Sequence, residues 1–239
     1  MAGENKIGIY IPSYGRAGMV STFDVIKSAK IVIPEKQYKE YAKHYPKKAL
    51  FVVPDRRDGN VAKKRNAILD MTPEKNIAMF DDDLRKVVKI KTGKVLSGEQ
   101  IVGLIYQGFN VAKEIGANYW GFNWTSQPRQ VFEGRPFSLN KVFWQILCVI
   151  KTELRFDEKL LRCDDVDFWM KHVRRDKITL RYNYYHAFFR MKQKTQTGGI
   201  GLKSDPQEDI KILQKRYGKK LVPVKNGELG LIQSPYKGV

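Results

Sequence analysis

The chain has 239 residues, 42% hydrophobic and 12% aromatic, which is enough to bury a core and excludes wholesale disorder. No apolar run is long enough to span a bilayer and the N-terminus lacks a signal peptide's apolar stretch, so the sequence predicts a soluble, cytoplasmic protein. With 44 Lys and Arg against 25 Asp and Glu, the formal charge is +19, a field that attracts polyanions and makes nucleic acid the leading partner.

Lys6 to Ile11 reads as a β-branched strand closed by Pro12. The turn Pro12-Ser13-Tyr14-Gly15-Arg16-Ala17-Gly18 follows, and then a helix capped by Ser21 or Thr22 with Phe23, Val25 and Ile26 on its buried side. This β-loop-α opening suits a nucleotide-binding α/β unit. It contains neither G-x-G-x-x-G nor G-x-x-x-x-G-K-[ST], so phosphate must be met by other means, of which a metal is the simplest.

Ile31 to Ile33 predicts a second strand, Glu35 to Tyr45 a helix, Ala49 to Val53 a third strand ending at Pro54-Asp55, and Val61 to Leu69 a helix carrying Arg65. Asn76 to Phe80 is a buried strand that stops in Asp81, Asp82 and Asp83. Strands separated by helices predict a parallel sheet, and such sheets bind ligands outside the carboxyl ends of their strands, where these acids fall. Strand alternation lets Asp81 and Asp83 point the same way, a pair of hard oxygens suited to Mg²⁺ or Mn²⁺ that leaves positions open for phosphate. An acidic surface loop or helix cap is the competing reading of the tripeptide.

Arg85 to Lys94 alternates basic and apolar residues and reads as a half-exposed hairpin turning at Thr92-Gly93. Gly98 to Ile115 is an amphipathic helix, Tyr119 to Trp124 an aromatic strand, and Val142 to Ile150 a buried strand. Asp164, Asp165 and Asp167 open the next helix, more acids than a cap requires, and one of them is a candidate general base. Tyr182 to Arg190 is a strand holding His186, Gln193 to Leu202 has the composition of a closing loop, and Asp209 to Tyr217 is a basic amphipathic helix. Cys148 and Cys163, the only two cysteines, have no zinc spacing and read as ordinary thiols. The whole is expected to be one domain, with a nucleotide-binding half to about residue 95, an acceptor half from about 96 to 202, and a basic helix and tail from about 203 to 239.

In this order the motifs resemble the GT-A fold glycosyltransferases, an α/β class with a Rossmann-like, mostly parallel central sheet flanked by helices. The carrying features are Pro12-Ser13-Tyr14-Gly15-Arg16, Asp55, Arg65-Asn66, Phe80-Asp81-Asp82-Asp83, Asp164-Asp165 and His186. The Pro-Ser-Tyr opening and Thr197-Gly198-Gly199 look more narrowly like the TET-associated glycosyltransferases of bacteriophages, relatives of which modify hydroxymethylated bases in DNA. The resemblance implies a UDP-sugar or similar donor, with Pro12, Ser13, Tyr14, Arg16, Asp55, Arg65, Asp81 and Asp82 near the nucleotide. It implies Mn²⁺ or Mg²⁺ held by Asp83 and Asp81 with His186, and Asp165 or Asp164 as the base; an extra acid interrupts the family's D-x-D.

The implied acceptor is hydroxymethylcytosine in DNA, with Lys86, Lys89, Lys91, Arg174, Arg175, Lys192 and Lys194 as candidate phosphate contacts. The competing readings are a protein, glycan or lipid acceptor on the same fold, nucleotidyl transfer, and a non-catalytic nucleic-acid-binding module.

Overall fold

The structure is a computed structural model, which describes residues 6–123, 135–190, 206–219, 224–225 and 228–229. Trp124, Lys192, Lys194 and the Gln193 to Leu202 segment singled out above lie outside the described residues.

In chain order the elements are β1 (Ile7–Pro12), α1 (Ser21–Val25), β2 (Lys30–Pro34), α2 (Tyr38–Tyr41), β3 (Leu50–Val53), α3 (Val61–Met71), β4 (Asn76–Phe80), β5 (Leu84–Lys89), β6 (Lys94–Val95), α4 (Gly98–Glu114), β7 (Tyr119–Asn123), β8 (Phe137–Leu139), β9 (Ile146–Ile150), α5 (Asp164–Asp176), β10 (Leu180–Phe189) and α6 (Pro206–Tyr217). A short pair, β11 (Val224–Lys225) and β12 (Glu228–Leu229), stands apart from the main sheet.

The main sheet runs β3-β2-β1-β4-β9-β7-β10-β5-β6, with β8 beside β10. Strands β3, β2, β1 and β4 are mutually parallel, so their carboxyl ends lie along one edge. Their near-continuous burial, from Ile9 to Pro12 and from Ile77 to Phe80, is what helices on both faces require of strands in such a sheet. Beyond β4 the direction alternates: β9 is antiparallel to β4 and β7, β10 is parallel to β7, and β5 is antiparallel to β10.

Helix α4 starts in a capping box, Ser97 with Gln100. It can lie flush on β7 because Gly108 faces Trp120, where a methyl group would overlap the indole. Several predicted elements differ in extent, among them α6, which starts at Pro206 and not at Asp209. The Glu35 to Tyr45 helix shortens to a 3₁₀ turn and α2. The Val142 to Ile150 strand starts only at Ile146, because Gln145 adopts a positive φ of 70° and breaks the extended run. Strand β10 starts earlier than expected, at Leu180. Among the described residues no helix is long and apolar enough to cross a membrane.

Candidate functional site

Because β1, β3 and β4 end at one edge of the sheet, Ser13 to Arg16, Asp55 and the three consecutive acids lie along it. The acidic turn is moored by α1 rather than by its own strand. Thr22, fully buried, donates its hydroxyl to the Asp81 carbonyl (2.5 Å) and accepts from the Leu84 amide (2.9 Å), while its own amide reaches the Asp82 carbonyl (3.3 Å). Thr22 makes no capping bond to α1, the role its sequence position predicts. From the other side, the Gln145 carbonyl accepts from the Asp81 amide and the Asp83 carbonyl accepts from the Arg190 amide.

Asp82 points inward. It accepts from Ser13 Oγ (2.8 Å) and pairs with Arg16, whose own amide donates to Tyr41 Oη (3.0 Å). Burial pushes the Asp82 carboxyl up, and Arg16 and Ser13 oppose that shift. Asp82 is therefore an anchor for the loop after β1, and Ser13 and Arg16 are turned to it. Pro12 is the buried end of β1. Lys64 lies beneath the same loop, donating to the Ser13 carbonyl (2.6 Å) and pairing with Asp58 (2.8 Å). Tyr14 is exposed, with Lys36 and Lys64 ammonium groups each 5.4 Å from its ring centre. Asp55 is exposed and accepts from the Lys36 amide.

Asp81 pairs with Arg65 at 3.1 Å and Arg65 pairs with Asp164 at 2.7 Å. Asp167, the third acid opening α5, is fully buried and held by Arg216, Lys171 and Tyr217 Oη, which makes it part of the α5–α6 contact. Of the six acids in the two clusters, two have no ion pair among the described residues. Asp83 is half-buried, and burial together with the like charges of Asp81 and Asp82 pushes its carboxyl up to about 6. Asp165 is pushed up to about 7, first by burial and then by Asp164. Since Arg65 bonds Asp164, the proton of that adjacent pair falls to Asp165.

The three-member metal set of Asp81, Asp83 and His186 is not brought together. In the antiparallel β5–β10 register His186 lies opposite Val88 while Phe189 lies opposite Leu84, so His186 is held mid-strand, roughly 16 Å along β5 from Asp83 at the usual rise per residue. Its Nδ1 sits 3.3 Å from the Asn123 carbonyl and burial lowers its pKa. Among the described residues no group of three His, Cys, Asp or Glu gathers to hold a metal. Asp83, with Asp81 beside it, is the remaining donor set: a half-buried carboxylate crowded by like charge, which a divalent cation would relieve.

Two supports were not legible in the sequence reading. Asn66 donates to the Phe156 carbonyl and accepts from its amide, tying the segment before α5 to α3. Asp209 of α6 accepts the amides of Leu161, Arg162 and Cys163 at 2.7–3.0 Å, directly ahead of Asp164. A basic helix gives no sign of that reach; an acid on the helix's otherwise apolar face, with Leu213 and Tyr217, is the one available signal.

Among solved structures the fold resembles S. aureus TarS residues 1–349 with UDP-GlcNAc (TM-score 0.56, 14% identity, covering 88% of this chain and 65% of that one). It also resembles glucosyl-3-phosphoglycerate synthase from Mycobacterium tuberculosis with Mn²⁺, UDP-glucose and phosphoglyceric acid (TM-score 0.57, 12% identity, 97% and 88%). The chain thus spans about two thirds of the TarS fragment, and at these identities the likeness concerns the fold alone. None of the curated proteins compared with the chain matches it. The fold is that of the GT-A glycosyltransferases. The model of the TET-associated glycosyltransferases matches residues 7–200, and the chain belongs to that family.

Proposed function

We propose that this protein transfers a sugar from a nucleoside diphosphate, UDP in the first instance, to the hydroxymethyl oxygen of a modified pyrimidine in DNA. The observation that carries the reading is that, of the six acids in the two clusters, the two without an ion pair among the described residues, Asp83 and Asp165, come one from each motif that the chemistry needs. A decayed, purely binding module would have no use for two half-buried acids without an ion pair.

Asp83 and Asp81 would hold Mn²⁺ or Mg²⁺, which supplies charge neutralisation for the departing diphosphate. Tyr14 and Asp55, both exposed at the edge of β1 and β3, bind the nucleotide; Ser13, Arg16 and Asp82 fix the loop on which Tyr14 stands. Asp165 accepts the proton of the acceptor hydroxyl as its oxygen bonds to the sugar C1 and the C1–oxygen bond to the diphosphate breaks. A base so used is the requirement of single displacement with inversion.

DNA as acceptor is supported by the β5–β6 hairpin. It begins at Leu84, directly after Asp83, and carries Arg85, Lys86, Lys89, Lys91 and Lys94 without an acid between Leu84 and Val95, and none of the five makes an ion pair among the described residues. Arg174 and Arg175 fit this role less well, since Arg175 is paired with Asp176 and Glu153 and Arg174 stacks on Tyr217.

The test is incubation with Mn²⁺ and a panel of nucleotide sugars, with and without hydroxymethylcytosine DNA, following released nucleoside diphosphate and DNA mass. A mass gain of one hexose per modified base is expected. Donor turnover without any gain in DNA mass would overturn the acceptor, and no donor turnover at all would overturn the enzyme.

A further inference from the structure

The resemblance puts Arg65 near the nucleotide, yet in the fold its side chain lies beneath the surface between the two acidic motifs. One terminal guanidinium nitrogen is 2.7 Å from Asp164 Oδ2 and the other is 3.1 Å from Asp81 Oδ1. The guanidinium centre is 5.5 Å from the Phe156 ring, and the segment bearing Phe156 is itself fastened to α3 by Asn66, the next residue along. A planar fork that gives one nitrogen to each of two carboxylates sets direction as well as distance, which a lysine's single point charge does not.

We propose that Arg65 is a positioning residue that locks the acidic turn after β4 to the first turn of α5. It holds the donor side and the base side of the site at one separation, and by engaging Asp164 it leaves Asp165 as the acceptor-facing base. The chemistry of this inference rests on the transferase reading above; its geometry does not.

The substitutions Arg65→Lys and Asp164→Asn test it in the full chain. Each is expected to lower kcat on the order of 100-fold, the scale of a small misplacement of reacting groups, while the donor KM changes less than about threefold. Each should also raise donor hydrolysis relative to transfer, because a base out of register serves water as well as the acceptor. The double variant should lose no more than either single one, as members of one unit behave. In Arg65→Ala, millimolar guanidinium should restore part of kcat and methylammonium should not.

In the protein without donor or metal, hydrogen exchange at Leu84 and Val166 should accelerate together in both single variants. Wild-type kcat in Arg65→Lys, or a rise confined to donor KM with Asp164→Asn unaffected, overturns the clamp. If the wild-type protein turns over no nucleotide sugar but the coupled exchange is seen, the transferase reading falls and the clamp stands.

Discussion

At the scale of single residues, the assignments separate by which acids already have a partner. Asp82 and Asp164 are neutralised by Arg16 and Arg65, whereas Asp165 is not and its carboxyl is pushed up to about 7. A base must be deprotonated, so kcat should rise with pH through about 7 and level off above it. Replacing Asp165 with Asn should remove that limb and lower kcat by at least about 100-fold, with donor affinity unchanged by calorimetry. For the fold the sign is opposite: a carboxyl with a raised pKa favours the protonated folded state, so its contribution to stability is complete below about 4 and is lost as pH rises through 7. Asp83→Ala should abolish the upward shift of the thermal midpoint that Mn²⁺ produces in the wild type, and an equal shift in the variant would dismiss Asp83 as a ligand. The acids were legible in the sequence because an apolar run ending in three carboxylates is unusual. Their partners were not, since Arg65, Arg16 and Thr22 acquire their roles only when distant segments meet.

At the scale of elements, alternation and apolar runs located every strand of the main sheet except β8, because burial on both faces leaves a near-continuous signature in β1 and β4. Extents failed where backbone conformation decided them: Gln145 at positive φ ends the extended stretch before β9, although Val142 and Phe143 are buried and apolar. His186 failed for a related reason. A strand's residues are easy to find, but the β5–β10 register that removes His186 from Asp83 is not written in either strand. The hairpin yields a quantitative expectation. If it contacts phosphates, the combined K86Q, K89Q and K91Q variant should flatten the dependence of log binding constant on log salt by about 2.7, the effect of three lost duplex phosphate contacts. Anisotropy with a labelled duplex reads this directly, donor binding serving as the control, and an unchanged slope would move the DNA to another face.

At the scale of the whole molecule, a charge of +19 proves to be distributed unevenly around the site. The acids gather at the carboxyl edge of the parallel strands, and the charged residues of the adjoining hairpin are all cationic, so under the proposed function a polyanion would be drawn beside the region that would draw a divalent cation. Composition gave the excess of cations and the strand edge the place of the acids, but neither gave the position of the cationic hairpin beside them. Neither foretold that the family-matched segment ends at residue 200 while Asp209, on α6, gathers the three amides that precede Asp164. Asp209→Asn should slow turnover on the order of tenfold without altering the salt dependence of DNA binding, and unchanged turnover would make the contact purely architectural. A shortened version trimmed to the recognised boundary would retain every acid of the pocket, pass any inspection of its motifs, and arrive without the strut beneath one of them.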